Sequence, residues 1–219
     1  VGKENSSFER ANVRLNLTSK ITKWLEVGVN ATHSASNKTG VPENNDTRGV
    51  IQNMLIIDPL TPVVYPSGDV PQSVYARSSD NGVPVLRDAN GNVYGYPSYS
   101  TGEVLNPVAY ANGMSNSKMY ARQNLVSAYL KFSIMEGLTF TSRYGYENGN
   151  WDTRNMTNPY YVSSEASNTS YTGSQNIYES NKWLWENFAS YTKSFKEHNF
   201  TVLAGYSAEN TRGRTLISR

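Results

Sequence analysis

The stretch Asn187–Glu209, NFASYTKSFKEHNFTVLAGYSAE, decides the fold, because two alternating segments flank a short polar turn at Lys196–His198. Apolar side chains occupy every second position after the turn, namely Phe200, Val202, Ala204, Tyr206 and Ala208. Successive side chains of a strand point to opposite faces, so this period of two predicts a β-hairpin with one apolar face. Such a hairpin suits either a soluble sheet or two strands that cross an outer membrane.

Two earlier hairpins repeat this pattern, so the sequence predicts six antiparallel up-and-down strands. The three hairpins cover about residues 10–33, 119–147 and 177–210. Each has an apolar row on one side and a polar row on the other. If the strands cross a membrane, the apolar rows face lipid and the polar rows line a lumen. The side chains predicted to be lipid-facing are Val126, Leu130, Phe132, Phe140, Phe200 and Val202.

The connections between these strands alternate between short and long. About three or four residues join the strands within each hairpin, whereas the long loops 34–118 and 148–176 join one hairpin to the next. In an antiparallel meander, all short turns then lie on one side of the sheet and all long loops on the other. Transmembrane β-barrels show this asymmetry, whereas sandwiches more often mix the lengths. The pattern favours an all-β chain that forms part of a transmembrane β-barrel with long extracellular loops.

The first long loop also contains a helical pattern. Within Thr47–Ile57, Val50 and Met54 are four residues apart, and each is followed by another apolar residue. Pro59 follows this segment after one residue, Asp58, and disfavours a helical conformation for it. We therefore expect one short amphipathic helix in the loop, whose apolar side packs the loop down rather than contacting a ligand.

Aromatic residues fall at two levels of the predicted strands. One group lies about seven to twelve residues from the short turns and contains Tyr144, Tyr146, Trp183, Trp185 and Tyr206. A second group lies close to those turns and contains Trp24, Tyr191 and Phe195. Tilted strands that cross an apolar band of about 25 Å would place these groups at the outer and inner interfaces of a membrane. Six strands cannot close a wide barrel, so we expect the chain to be part of a larger protein.

Composition narrows the classes of function. The 219 residues are 37% hydrophobic and have a mean hydropathy of −0.58, and no apolar run is long enough for a transmembrane helix. The absence of cysteine rules out a disulfide framework and a thiolate metal site. A net charge of +2 with scattered basic residues argues against nucleic-acid binding. No secretory signal peptide is visible at the start of the sequence.

Several segments resemble the barrel region of SusC/RagA-type TonB-linked outer membrane receptors. They are NVRLNLTSKITKWLEVGVNA, LNPVAYA and ENFASYTKSFKEHNFTVLAGYSAE. In that family a hairpin of the pattern Y-x-K-x-F-x-x-H-x-h-x-h-h-x-G-Y recurs, where h is apolar. It is matched here by Tyr191, Lys193, Phe195, His198, Gly205 and Tyr206.

The resemblance implies a wide barrel with an N-terminal plug in the outer membrane of a Gram-negative bacterium. Such receptors import oligosaccharides or peptides with energy from the TonB complex, and a SusD-like surface lipoprotein caps them as a lid. We see no plug, no TonB box and no later strands in residues 1–219, so the sequence is interpreted as a partial β-barrel. The outer membrane lipid, the lipoprotein, TonB and a glycan or peptide are the partners that the resemblance implies.

Motifs for catalysis, cofactors or metals are missing from the sequence. His33 and His198 are isolated, and no P-loop, GxSxG, HExxH or dinucleotide-binding motif stands in a fitting context. The segment 88–92, DANGN, lacks the later ligands of a calcium loop and is interpreted as a β-turn. We therefore expect no enzyme activity and no cofactor. The loop aromatics that could stack on a sugar ring are Trp151, Tyr160 and Tyr161.

A second hypothesis belongs to a different class. The same strands could form a soluble extracellular β-rich module that binds carbohydrate through its loops. In that case the chain would fold alone without detergent, and the polar rows would face water. The residues of the strands by themselves leave both hypotheses open.

Overall fold

The computed structural model describes residues 5–41, 49–99 and 103–219, and antiparallel strands dominate them. Six long strands form the main sheet, and two very short ones lie in the loop between the fourth and fifth of them. In chain order they are β1 (Ser7–Lys20), β2 (Leu25–Gly40), β3 (Ser115–Met135), β4 (Leu138–Thr157), β5 (Tyr160–Tyr161), β6 (Ser167–Asn168), β7 (Thr172–Phe195) and β8 (His198–Ser218).

The main sheet is a six-stranded meander. Its order is β1-β2-β3-β4-β7-β8, each neighbouring pair is antiparallel, and β5 pairs only with β6. Strands β1 and β8 are the two edges, so the sheet is not closed within this chain. Because each of these strands is hydrogen-bonded to the next in the order, the register decides which side chains share a face.

The short turns lie at one end of the sheet. Glu136–Gly137 joins β3 to β4, and Lys196–Glu197 joins β7 to β8. Gly137 has a φ of 80° and Lys196 a φ of 54°, as two-residue hairpin turns require of at least one central residue. Both turns are one residue shorter than the polar segments that predicted them, because Met135 and His198 already belong to the strands.

The strands extend well beyond their predicted bounds, so the predicted loop bounds are wrong. Residues 34–40 continue β2 and residues 115–118 begin β3, which shortens the first long loop from 34–118 to residues 41–114. The second long loop shrinks from 148–176 to residues 158–171. The added strand residues are rich in Asn, Ser and Thr on both faces, so they lack the apolar alternation by which the strands were predicted.

The long loops fold into a layer with its own helices. These are α1 (Val50–Ile56), α2 (Gln72–Asp80), α3 (Pro107–Ala109) and a π-helical turn at Tyr110–Met114. The predicted helix corresponds to α1 and ends before Pro59, but the expectation of one loop helix is wrong. Sequence periodicity misses α2 because its buried side consists only of Val74 and Ser78.

The fully buried core lies in this loop layer and not in the sheet. Leu105 is 0% exposed, Met114 is 1% exposed, and residues of the second long loop join the same cluster. The members of the cluster are Val41, Val50, Val74, Val93, Tyr94, Tyr96, Leu105, Ala109, Tyr110, Ala111, Met114, Tyr160, Val162 and Ala166. The loops at the long-loop end of the sheet therefore form a packed body rather than loose connections.

Candidate functional site

The register places one continuous apolar band on a single face of the sheet, which we call the apolar face. One row across the strands runs through Leu25, Phe132, Phe140, Ala189 and Ala204. The six side chains predicted to be lipid-facing, Val126, Leu130, Phe132, Phe140, Phe200 and Val202, all belong to this face. Within the part of the chain that the structure describes, no second layer packs against the band, and Leu130 remains 43% exposed.

The band runs obliquely to the strands. The register row that starts at Val13 on β1 ends at Arg212 on β8, four residues beyond Ala208, where the unbroken apolar run of that strand ends. Barrel strands about 4.8 Å apart and tilted by about 40° shift a fixed membrane level by about one residue per strand, or about six over five steps. The observed slide of four residues has the direction that such a tilt requires and is somewhat smaller.

Aromatic side chains border the band on both sides. On the loop side, Tyr144 pairs with Trp185 and Tyr146 with Trp183, and the rings of Tyr144 and Trp183 stack at 6.5 Å. On the turn side, Trp24 and Phe140 both lie next to Phe132, at ring distances of 6.1 Å and 6.3 Å. Aromatic rows of this kind mark the interfaces of membrane-spanning sheets.

Asn187 and Phe188 do not follow the alternation, and the structure shows how each is accommodated. Asn187 lies on the apolar face opposite Ser142, whose Oγ accepts a hydrogen bond from Trp185 Nε1 at 3.2 Å. Phe188 lies on the other face and covers Gly205, where a Cβ atom would be 3.0 Å from that of Phe188. The glycine makes room for the aromatic side chain.

The opposite face, which we call the polar face, carries the charged residues. Two ion pairs cross its strands: Arg143 Nη1 is 3.6 Å from Glu186 Oε2, and Lys182 Nζ is 3.0 Å from Glu209 Oε2. Both pairs are partly exposed and so contribute little to stability. The residues predicted to line a lumen all belong to this face: Arg14, Asn16, Glu26, Asn30, Lys131, Arg143, Glu147, Glu186 and Glu209.

Two aromatic residues form a flat surface on the polar face near the loop layer. The rings of Trp151 on β4 and Tyr178 on β7 are 5.4 Å apart and are tilted by 31°. Trp151 lies over Gly149, where a Cβ atom would be 2.2 Å from the indole ring, and Tyr178 lies over Gly213, where a Cβ atom would be 3.3 Å from the phenol ring. The sequence prediction missed Tyr178, although its two-residue spacing from Ser180 and Lys182 places it on the polar face.

The structure corrects two of the three predicted ligand-contacting aromatics. Trp151 belongs to strand β4 rather than to a loop, although its ring is half-buried and keeps some accessible surface. Tyr160 is 4% exposed inside the loop core, so its ring has no free face for a sugar. Tyr161, which pairs with Ser167 in the small β5–β6 sheet, is half-buried. Trp151 and Tyr161 remain candidates.

Helix α1 exposes apolar side chains to the outside of the loop layer. Only Val50 and Asn53 of this helix are buried, whereas Leu55 is 81% exposed. The exposed apolar residues of the helix and of the turn after it are Ile51, Met54, Leu55, Ile56 and Leu60. The predicted packing role therefore holds for one side of the helix only, and contiguous exposed apolar residues of this kind mark interaction sites.

The predicted turn at residues 88–92 is held by hydrogen bonds within the segment. Asp88 Oδ1 accepts from the backbone nitrogens of Asn90 and Asn92 at 2.9 Å and 2.8 Å, and Asp88 Oδ2 accepts from Asn92 Nδ2 at 2.9 Å. The side-chain hydrogen bond from Asn92, together with the backbone donors, lowers the pKa of the Asp88 carboxyl. The interpretation as a turn is confirmed.

The described ranges hold neither a metal-binding cluster nor a membrane-spanning helix. Residues 5–41, 49–99 and 103–219 contain no group of three His, Cys, Asp or Glu side chains able to hold a metal ion. In the same ranges, no helix has both the length and the apolar character needed to cross a membrane.

Known proteins resemble the chain over nearly its full length. It is 27% identical over 212 residues to a protein of Formosa agariphila named "TonB-dependent receptor P3". The aligned residues make up 95% of this chain and 18% of that protein. No protein-family model matches the chain. The chain thus spans less than a fifth of this curated relative.

Solved structures of peptide transporters share the fold. The structure described as the RagAB peptide transporter matches 97% of this chain and 22% of its own, with a TM-score of 0.57 and 19% identity. The RagAB peptide importer in the "closed-closed" state matches the same share of this chain, with a TM-score of 0.56 and 20% identity. The predicted fold class, antiparallel up-and-down strands that form part of a transmembrane β-barrel, is confirmed. Together these likenesses confirm the resemblance of this chain to a barrel segment of a SusC/RagA-type TonB-linked receptor.

Proposed function

We propose that the chain, residues 1–219, is one barrel segment of a TonB-dependent importer in the outer membrane of a Gram-negative bacterium. The observation that carries the proposal is the oblique apolar band, which has aromatic rows on both sides and a charged face behind it. A transmembrane barrel needs this division between lipid and lumen, and the loop layer then faces the exterior.

The uncovered band argues against the soluble module. Val13, Leu15 and Leu17 on β1 are each more than half exposed, as are Phe200 and Val202 on β8. A soluble protein that exposed so large a continuous apolar face would aggregate. Lipid is the environment in which this face needs no second layer.

We propose that the cargo is a peptide or an oligosaccharide that passes along the polar face. A depression of about 300 Å³ on that face presents both charge types, from Arg143 and Lys182 and from Glu147 and Glu186. The ring surface of Trp151 and Tyr178 lies on the same face nearer to the loops, where a sugar ring or an aromatic side chain could stack. Tyr161 is the remaining loop candidate for such contact.

A surface lipoprotein of the SusD type is the partner that we propose for the loop layer. The exposed apolar residues of α1 supply a surface that water alone does not favour, and contiguous exposed apolar residues mark sites of protein contact. Coupling to TonB would run through the rest of the receptor. We propose no enzymatic step and no cofactor.

Uptake by cells that carry the whole receptor tests this function. A strain lacking the receptor gene is complemented with the native gene or with a Trp151→Ala variant, and growth is measured with peptides or with oligosaccharides as the limiting nutrient. We expect the native gene to restore growth on one of the two nutrient classes. This growth should require the proton gradient that energises TonB. Equal growth of cells with and without the receptor gene, on peptides and on oligosaccharides alike, would contradict the proposal.

The Trp151→Ala variant tests the ring surface separately. Removal of a stacking ring costs about 1–3 kcal/mol where an aromatic ligand surface is bound, so we expect a raised half-saturation for uptake. Tyr129→Ala is the matched control, because Tyr129 lies on the same face but covers Gly28 farther from the loops. Equal effects of the two substitutions would remove the specific role of Trp151.

A further inference from the structure

Basic side chains collect on the apolar face just beyond the apolar band. Lys118 and Arg122 lie on β3, and Arg212 and Arg214 lie on β8, all with exposed side chains. We call these four residues the outer cation patch. Among the described residues, none of the four makes an ion pair or a side-chain hydrogen bond. The patch therefore has charge without a partner.

The inner members of the patch, Arg122 and Arg212, have the same height above the band, and Lys118 and Arg214 lie four and two residues farther out. Arg122 lies four residues beyond Val126, where the unbroken apolar run of β3 ends, and Arg212 lies four residues beyond Ala208, where that of β8 ends. Beyond these ends, Tyr120 and Leu216 are the apolar neighbours of the cations on this face. At a rise of about 3.3 Å per residue and a tilt of about 40°, four residues correspond to about 10 Å above the edge of the band. The headgroup layer is about 5–8 Å thick on each side, so these Cα atoms lie just outside it, and the long arginine side chains can extend back into it.

The polar side chains between the band and the patch already bind one another. His33 Nδ1 and Asn124 Oδ1 are 2.7 Å apart, and Asn181 Oδ1 accepts from Asn148 Nδ2 and from Tyr146 OH, each at 2.8 Å. This hydrogen-bonded row lies directly beyond the aromatic residues. The cations of the next level face outward beyond it, where no described side chain satisfies them.

Carboxylates on the same face do not neutralise the patch. Asp152 is held by Arg154 at 2.7 Å, and Glu9 lies on the distant edge strand β1. Glu179 is the register partner of Arg214, and its Oε1 accepts from Asn150 Nδ2 at 3.5 Å. From β3 to β8, four free cations thus face one carboxylate that no cation holds.

We propose that the outer cation patch binds the phosphate groups of anionic lipids in the outer leaflet. The charge of the patch, its exposure and its height above the apolar band together select an anion anchored in the membrane rather than one in bulk water. The inference rests on the membrane placement under the proposed function but adds a lipid site to it. Its surface is separate from the polar face along which cargo would move.

Lipid binding by the whole receptor tests the inference. The receptor is placed in vesicles of phosphatidylcholine with or without phosphatidylglycerol, and lipid retention and the thermal midpoint are measured. The test variant carries Arg122→Gln, Arg212→Gln and Arg214→Gln. The control variant loses the same charge on the polar face through Arg10→Gln, Arg14→Gln and Lys131→Gln.

We expect the native receptor and the control to prefer phosphatidylglycerol, and the test variant to lose about a hundredfold in that preference. Retention of the full preference by the test variant, or an equal loss in the control, would overturn the proposal. Inorganic phosphate should not raise the thermal midpoint; protection equal to that by phosphatidylglycerol would identify a free-anion site instead.

Two further measurements cover a test variant that fails to fold. The native receptor should lose its lipid preference as salt is raised, because screening weakens an electrostatic contact at the surface. The three Arg→Lys substitutions at the same positions should keep most of the preference. A preference that salt leaves unchanged would contradict the proposal. Failure of the native receptor to insert into any vesicle would instead contradict the membrane placement.

Discussion

Asn106 Nδ2 donates a hydrogen bond to the carbonyl oxygen of Gly95 at 3.0 Å, and this contact ties together distant parts of the loop layer. The same nitrogen donates to Val63 O at 3.0 Å, while Asn106 Oδ1 accepts from Val108 N at 3.1 Å at the start of α3. The side chain is 3% exposed, so water cannot replace these bonds. The Asn106 side chain therefore connects three segments of the loop layer by buried hydrogen bonds.

Replacement of this amide should loosen the loop layer without harming the sheet. Asn106→Asp keeps an acceptor for the α3 cap but turns a carboxylate toward carbonyl oxygens, so we expect a loss of about 2–4 kcal/mol in the stability of the layer. Hydrogen exchange of the amides in residues 93–109 measures this loss. Asn90→Asp in the exposed turn is the control and should change it by less than about 0.5 kcal/mol. Unchanged protection of these amides in Asn106→Asp would contradict the stabilising role of the Asn106 hydrogen bonds.

Tyr65 and Tyr96 differ in what their hydroxyl groups contribute. Tyr65 OH accepts from Tyr96 N at 3.2 Å, whereas the buried Tyr96 OH has no hydrogen-bond partner among the described residues. We expect Tyr65→Phe to cost about 1–2 kcal/mol and Tyr96→Phe to be neutral or stabilising, because only the first leaves a group unpaired. Thermal melts of the two variants make the comparison, and equal losses would contradict the assignment.

Tyr96 also makes the stability of the loop layer depend on pH. Burial raises the pKa of the Tyr96 hydroxyl, so the folded layer favours its neutral form. The stability is then complete at neutral pH and falls as the pH rises above about 10 toward the raised value. Hydrogen exchange of the loop layer at alkaline pH should show this loss in the native protein and a smaller loss in Tyr96→Phe.

Gly137 is required by its turn for two reasons. Its φ is 80°, and a Cβ atom there would lie 2.2 Å from Thr192 O. Gly68 also has a positive φ, 91°, but nothing lies within 4 Å of its Cβ position. We expect Gly68→Ala to cost about 1–2 kcal/mol from the backbone alone and Gly137→Ala to cost clearly more. Equilibrium unfolding of both variants provides the measurement, and equal costs would argue against the close approach.

The lipid-facing assignment predicts a difference between two neighbouring substitutions on β3. Leu130→Arg places a charge in the middle of the apolar band, where it should cost about 2–4 kcal/mol in a lipid bilayer. Ser127→Arg places the same charge on the polar face and should cost much less. The free energy of unfolding of the whole receptor in lipid measures both. Similar costs at the two positions would contradict the face assignment.

Alternation made the sheet predictable, and its absence hid the rest. Val126, Leu130 and Phe140 stand in rows whose period of two identifies both the strands and their faces from the order of the residues alone. Residues 34–40 and 148–157 lack that contrast because polar residues occupy both faces, so the strands were predicted too short. The parts of the strands that lie above the apolar band keep the same pairing, but they lack the alternation of apolar and polar residues from which strands are predicted.

The loop layer was hidden for a different reason. Its structure depends on contacts between distant residues, such as Asn53 Oδ1 with Leu105 N at 2.7 Å, and no local period records them. One local signal was available: Asn106-Pro107 is the pair expected at the cap and first position of a helix. The outer cation patch likewise emerges only when the register brings β3 and β8 to the same height.

The protein contains no cysteine, so single cysteines can carry spin labels along β3 without further changes. Labels at residues 124–134 of the whole receptor in lipid vesicles would report access to oxygen, which concentrates in lipid, and to a water-soluble nickel chelate. We predict a period of two, with positions 126, 128, 130 and 132 open to oxygen and positions 127, 129 and 131 open to the chelate. Equal access on both faces, or chelate access at Leu130, would contradict the central claim that the apolar face contacts the membrane.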